Sequence, residues 1–197
     1  WIPVISVDNM QILNRTKIDP KLIEGHRKEF EFARAVVKSK VPFCNHYLIS
    51  TFFDAKIKRK NTTLVPPILR EEILVQKGAD GDHLVVYQTA EGNDSLANTL
   101  KETRLPCRVY GMKRDLKSPE TDGSLTYMPF DEGQFISDLS SCRGVISGGS
   151  FTLMSEALYL RKPVLSVPVK GQFEQVLNAK YLERLGYGVY AASLRDP

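Results

Sequence analysis

A chain of 197 residues with 42% hydrophobic content is long enough for one large domain or two small ones around an ordinary buried core. The net charge of +4 permits an anionic ligand or a membrane surface but lacks the concentrated basic stripe that nucleic acid requires. Cys44, Cys107 and Cys142 are too few and too scattered for a disulfide framework or a zinc site, and there is neither a run of about eighteen apolar residues nor a signal peptide, so the sequence reads as soluble and cytoplasmic.

The chain opens on Trp1-Ile2-Pro3-Val4-Ile5-Ser6-Val7 without an initiator Met, and its end at Leu194-Arg195-Asp196-Pro197 is equally abrupt, so it reads as a fragment of a longer protein. Residues 2–7 have the pattern of a buried strand closed by the turn pair Asp8-Asn9. Residues 20–40 read as mostly helical, with Leu22, Ile23, Phe30, Ala33, Val36 and Val37 at near-helical spacing. Residues 47–53 make a short strand. The basic run Lys56-Ile57-Lys58-Arg59-Lys60 reads first as a solvated loop. In Leu64-Val65-Pro66-Pro67-Ile68 the proline pair prevents regular structure and marks a connector between domains.

A second unit starts after Lys77-Gly78-Ala79-Asp80-Gly81. Strands are expected at 83–88, 107–111, 124–127, 144–147, 163–167 and 188–191, with helices at 95–103, 132–142, 153–160 and 174–185. Strand–helix alternation with short loops predicts an α/β fold with a doubly wound, Rossmann-like parallel sheet. The domains expected are residues 1–70, the tail of a preceding α/β domain with its connector, and residues 71–197.

Side chains capable of chemistry gather where these strands end. In Ser147-Gly148-Gly149-Ser150-Phe151-Thr152 two glycines let the backbone turn sharply beside a ligand, and Ser150 or Thr152 can open a helix whose free N–H groups suit a diphosphate. Alone, this reads equally well as a plain strand–helix turn. Glu156 follows one turn later among Leu153, Met154, Ala157 and Leu158, and helical side chains lean toward the N-terminus, so its carboxylate reaches back toward the turn, where it could accept from both hydroxyls of a ribose. The other reading is an acid favoured by the helix dipole. Glu174 and Gln175, in Gln172-Phe173-Glu174-Gln175, offer acceptors and donors for sugar hydroxyls, although alone they read as an ordinary helix start. Tyr127-Met128-Pro129-Phe130 brings aromatic surface to the same rim, with core packing an equal alternative for each ring.

Together, Gly148-Gly149-Ser150-Phe151-Thr152, Ser155-Glu156-Ala157-Leu158, Lys162-Pro163-Val164-Leu165 and Glu174-Gln175 with Asn178-Ala179 resemble the donor-binding signature of GT-B glycosyltransferases. The branch most similar is that of the MurG-like (family 28) and UDP-glycosyltransferase-like proteins. The resemblance implies that Ser150, Phe151 and Thr152 meet the donor diphosphate beside the Gly148-Gly149 turn, that Glu156 holds the ribose, that main-chain groups of Phe130 read uracil, and that Glu174 and Gln175 contact the donor sugar. Gly148 stands where plant-type members carry a His, and the loop Thr89-Ala90-Glu91-Gly92-Asn93-Asp94 is less glycine-rich than the family's.

The function implied is inverting, metal-independent transfer from a UDP-sugar to an acceptor, with no cofactor beyond the substrate itself and no nucleic-acid partner. A lipid-linked or cell-envelope acceptor would place the protein peripherally on the cytoplasmic face of a membrane, assisted by residues 56–60. The catalytic base is expected in an N-terminal part not present, since none of His26, His46 or His83 matches its position. Two other readings share the nucleotide grip: a UDP-sugar hydrolase or 2-epimerase, and a non-catalytic nucleotide-sugar-binding module.

Overall fold

The computed structural model describes residues 2–88 and 94–194. The chain runs β1 (Ile5–Asp8), α1 (Ile12–Arg15), β2 (Thr16–Lys17), α2 (Pro20–Ile23), α3 (Arg27–Lys40), β3 (His46–Ser50), β4 (Lys56–Ile57), β5 (Thr62–Val65) and α4 (Glu71–Leu74). It continues through β6 (Leu84–Tyr87), α5 (Asp94–Glu102), β7 (Cys107–Tyr110), β8 (Glu120–Asp122), β9 (Leu125–Tyr127), α6 (Glu132–Ser141), β10 (Gly144–Ser147), α7 (Phe151–Tyr159), β11 (Val164–Ser166), α8 (Phe173–Arg184) and β12 (Gly188–Tyr190).

β1, β3 and β5 form a parallel three-stranded sheet with β3 at its centre, and β2 pairs antiparallel with β4 beside it. Two local expectations are corrected here. β1 is an edge strand rather than a buried one: Ser6 is covered, while Ile5 and Val7 remain more than half exposed. The stretch 20–40 is mostly helical as expected, as α2 and α3, parted at Gly25, which takes a left-handed φ of +78°. α2 begins on Pro20 with the Asp19 side chain accepting from the Lys21 N–H. The proline pair does not abolish regular structure around it; Thr62–Val65 completes β5, and Pro66, with no N–H to give, ends it.

The second sheet has the order β12-β11-β10-β6-β7-β9-β8. All neighbours are parallel except β8, which folds back on β9 as an edge hairpin. Asp122-Gly123 is the hairpin signal, with Gly123 at φ +64°. From β6 the chain winds outward through β7 and β9, then crosses back to β10 and winds the other way through β11 and β12. The order reverses between β6 and β10, and an open α/β sheet holds its ligand at such a point, beyond the carboxyl ends of the strands.

Alternation along the strands supplies two cores, one on each face. Val85, Tyr110 and Val145 pack against Ile136 and Leu139 of α6 and Met154 and Ala157 of α7. Val86, Val109 and Ile146 pack against Leu96, Ala97 and Leu100 of α5. Among the buried groups, the Asp138 carboxylate is fully enclosed and accepts from Tyr110 Oη at 2.5 Å, Gln134 Nε2 at 2.6 Å and the Arg108 guanidinium.

A third core joins the two sheets. Ile12, Leu13, Val37, Ile49 and Phe53 from the first 70 residues surround Phe173, Leu177 and Tyr181 of α8, and the Phe53 and Tyr181 rings stack with centroids 3.7 Å apart. The opposite side of α8 sends Ala179 and Leu182 into the core of the large sheet. α8 is therefore apolar on two sides. Leu177→Ala removes a fully buried side chain from this junction and is expected to cost about 2–5 kcal/mol, read as a lowered urea midpoint.

Candidate functional site

The sheet reversal brings Tyr87-Gln88, at the end of β6, beside Ser147-Gly148, at the end of β10. A cavity of about 200 Å³ opens there, walled further by Leu96 and Thr99 of α5, by Val167, and by Ala192 and Leu194 after β12. The loop expected over 89–94 falls largely outside the described residues.

The Gly148-Gly149 turn is shaped by what packs under it. Gly149 has φ +94°, and a Cβ on it would lie 2.8 Å from Gln175 Cβ and 2.9 Å from the Gln175 carbonyl oxygen, so this position admits glycine alone. The turn is fastened from both sides: Gly149 N–H donates to Ser147 Oγ, and Asn178 Nδ2 donates to the Gly149 carbonyl, each at 3.4 Å. α7 begins immediately afterward. Ser150 is its N-cap residue, yet the Ser150 hydroxyl makes no capping bond, so the first N–H groups of α7 are left for another acceptor. The Thr152 side chain is exposed, and the Phe151 ring stacks on Phe52 at 5.7 Å.

Glu156 lies where its spacing predicts, on the first turns of α7, but its environment was not foreseen. It is 1% exposed, and both its oxygens accept from one guanidinium: Arg70 Nε at 2.7 Å and Arg70 Nη2 at 2.8 Å. Arg70 Nη1 reaches Glu132 Oε1 at 2.6 Å at the start of α6. Arg70 is the N-cap residue of α4, in the connector, so one side chain ties the connector to the start of α6 and the middle of α7. The hydrogen bond from Arg70 to Glu156, more than that to Glu132, pushes the guanidinium pKa above its already high ordinary value. Removing one partner of such a buried pair costs about 3–5 kcal/mol, because the other charge is left uncompensated.

Glu174 and Gln175 open α8 on the same rim. Glu174 Oε1 accepts from Asn9 Nδ2 at 2.7 Å, a bond from the carboxyl end of β1. Burial pushes the Glu174 carboxyl up from its ordinary value, against the opposing effect of the Asn9 bond. Gln175 is spent locally, its Oε1 accepting from Val169 N–H at 2.9 Å and its Nε2 donating to Gln172 at 2.7 Å, which pins the loop after β11. At the far end of the rim, Tyr127 and Met128 turn into the two cores, whereas Phe130 is 87% exposed. Asp131, next to it, caps α6 by accepting from Gln134 N–H.

The sequence reading missed Arg70, Asn9 and Phe52. For Arg70 a signal was present: an acid inside an otherwise apolar helix needs a cation, and an arginine stands at the end of the connector. Asn9 and Phe52 carry no comparable signal, since their partners lie more than 90 positions away in sequence. The three histidines are placed elsewhere: His83 Nε2 is 3.1 Å from the Asp138 carbonyl, His46 Nε2 is 2.9 Å from Thr63 Oγ1, and His26 opens α3 beside the Phe173 ring. Among the described residues, no three or more His, Cys, Asp or Glu side chains gather as a metal site, and no helix is long and apolar enough to cross a membrane.

The family model described as glycosyl transferase family 1 matches residues 1–196. The fold is similar to that of CalG4, the calicheamicin glycosyltransferase, with a TM-score of 0.56 at 14% identity over 96% of this chain and 55% of that one. It is also similar to LpCGTa, solved with UDP, with a TM-score of 0.51 at 15% identity over 83% and 42% of the two chains. SsfS6 from Streptomyces sp. SF2575, solved with thymidine diphosphate, gives a TM-score of 0.50 at 14% identity over 83% and 49%. The chain spans about half the length of the solved structures it matches. No curated protein matches the sequence. The MurG-like branch of the sequence expectation rests on its motif residues alone.

Two substitutions probe this geometry. Gly149→Ala forces a side chain into Gln175 at a left-handed φ; a loss of about 1–3 kcal/mol in stability is expected by chemical denaturation, together with loss of whatever binds at the turn. Glu174→Gln keeps an acceptor for Asn9 and removes a carboxylate that burial disfavours. Because Glu174 has a raised pKa in the folded chain, the wild type loses stability as pH rises through its titration. The variant is therefore expected to melt higher than wild type at neutral pH, with the gain fading in acid, in a series of thermal melts.

Proposed function

The chain belongs to glycosyl transferase family 1, and from that premise we propose that residues 71–197 bind a UDP-sugar donor at the rim described above while residues 1–70 border the acceptor side. The observation that carries this reading is the uncapped start of α7 directly after the Gly148-Gly149 turn at the reversal of the sheet. A diphosphate placed there receives the N–H groups of Phe151 and Thr152 with the positive end of the helix dipole behind them. The UDP and thymidine diphosphate held by two of the similar structures support a nucleoside diphosphate as the ligand class.

The other contacts follow around the rim. Phe130 offers an exposed ring and its main-chain groups to the base. Glu174 and Gln175 stand on the donor-sugar side at the start of α8, and Gln175 shapes the 168–172 loop there through its bonds to Val169 and Gln172. As the sugar leaves UDP in an inverting transfer, negative charge grows on the diphosphate, where the preorganised helix N–H groups stabilise it without a metal ion. Activation of the acceptor hydroxyl requires a general base. The acceptor is proposed to be lipid-linked, reached from the cytoplasmic face of a membrane, with the exposed Lys56 and Ile57 of β4 and the basic residues after them resting on an anionic surface.

Calorimetric titration of the chain with UDP tests the donor site. Saturable binding that falls at least about tenfold in Gly149→Ala is expected, with inorganic phosphate much weaker than UDP; a wild type that does not saturate with UDP would overturn the assignment.

A further inference from the structure

We propose that Arg15, Arg34, Lys38 and Arg59 form a second binding pocket, at the far end of the three-stranded sheet from the donor rim, which takes a terminal phosphate group carried by a soluble ester or by a lipid headgroup.

The strands of this sheet are parallel, and their carboxyl ends lie toward α8, where Asn9 after β1 meets Glu174. Their amino ends lie on the opposite side. There, before β3 and β5, a cavity of about 310 Å³ opens. Three separate stretches bring cations to it: Arg15 ends α1, Arg34 and Lys38 stand one turn apart on α3, and Arg59 comes shortly before β5. No carboxylate lines the cavity, and among the described residues none of these four cations makes an ion pair. Glu31, three positions before Arg34, is turned to Arg27 at 3.3 Å.

Such a gathering works against folding. Like charges four apart on a helix destabilise it, and here no acid offsets them. Burial, and then the charges of Arg34 and Arg59, push the neighbouring Lys58 ammonium down from its ordinary value. Arg34 Nε is buried without a hydrogen-bond partner, and an anion beside its guanidinium would supply the missing acceptor. The pocket is also set in advance. Arg15 Nε donates to Thr62 Oγ1 at 2.8 Å, Arg15 Nη2 donates to Asn61, and the guanidinium lies 3.6 Å over the Tyr47 ring. These bonds leave the Nη1 end of Arg15 as a donor with a fixed direction. Arg34 in turn lies over the Phe30 ring at 5.2 Å.

The residue types select the ligand. Planar guanidinium forks match pairs of phosphate oxygens. Three forks and an ammonium suit the nearly double negative charge of a terminal phosphate better than the single charge of a carboxylate.

Calorimetric titration of the whole chain with inorganic phosphate and with pyrophosphate, at constant ionic strength, tests the pocket. Saturable binding is expected, with a melting temperature that rises with phosphate. Lys38→Gln/Arg59→Gln should weaken binding by about tenfold or more. The same variant should melt no lower than wild type in phosphate-free buffer, because it relieves repulsion and breaks no ion pair. Gly149→Ala, which disturbs the donor turn, should leave phosphate affinity where it was. Flotation with phosphatidylcholine vesicles containing phosphatidic acid or phosphatidylserine separates the two sources. Capture by phosphatidic acid over phosphatidylserine, competed by pyrophosphate, identifies a lipid headgroup; soluble binding without capture identifies a free phosphate ester. Absence of saturable phosphate binding would overturn the inference. So would an equal loss in Lys77→Gln/Lys117→Gln, which removes two exposed cations outside the cavity, since the cluster would then act only as diffuse positive charge.

Discussion

A carboxylate buried in the middle of an apolar helix is the constraint around which this site is arranged. Glu156 sits between Met154 and Ala157, both fully buried, where a polar side chain needs a partner. Its cation comes from the connector 86 positions earlier in the chain, and the same guanidinium reaches the start of α6. The crossing from one sheet to the other is thus fastened to the start of α6 and the middle of α7. The pair contributes less to net stability than to geometry, because desolvating two charges offsets much of their attraction. It fixes where the connector meets α6 and α7.

The second acid of the rim is handled differently. Glu174 is held by side-chain amides, and burial is compensated only partly by Asn9, by Asn178 and by the charge of Lys40, so its proton is held more tightly than usual. The two carboxyl groups therefore differ in surroundings: Glu156 is gripped by a guanidinium, whereas Glu174 is pushed up from its ordinary value by burial. Asp138, on α6, shows a third arrangement, enclosed by a phenol, an amide and a guanidinium within one face of the sheet.

The large sheet was legible in the sequence because its strands are short apolar runs separated by helical periodicity; Gly144–Ser147 stands where its pattern places it, and the other parallel strands lie within a residue or two of theirs. What escaped was set by context. Glu120–Asp122 is polar throughout and exposed, a strand only because Gly123 turns it back onto β9. Thr62–Val65 is masked by the prolines that follow it. The exposure of Ile5 and Val7 depends on what lies beside β1, which an apolar run does not encode. At the site, side-chain types and their order along the rim were readable from local spacing, while their partners were not: Arg70 with Glu156 and Asn9 with Glu174 are separated by 86 and 165 positions.

The double-sided character of α8 has a mechanical consequence. Glu174 and Gln175 occupy its first turn, Leu177 and Tyr181 are embedded among residues of the first 70, and Ala179 and Leu182 are embedded beneath the large sheet. A rod keyed into two bodies joins them through its own packing. Tilting one sheet against the other must either drag this rod or shear one of its two contacts, and its leading end carries Glu174 and Gln175.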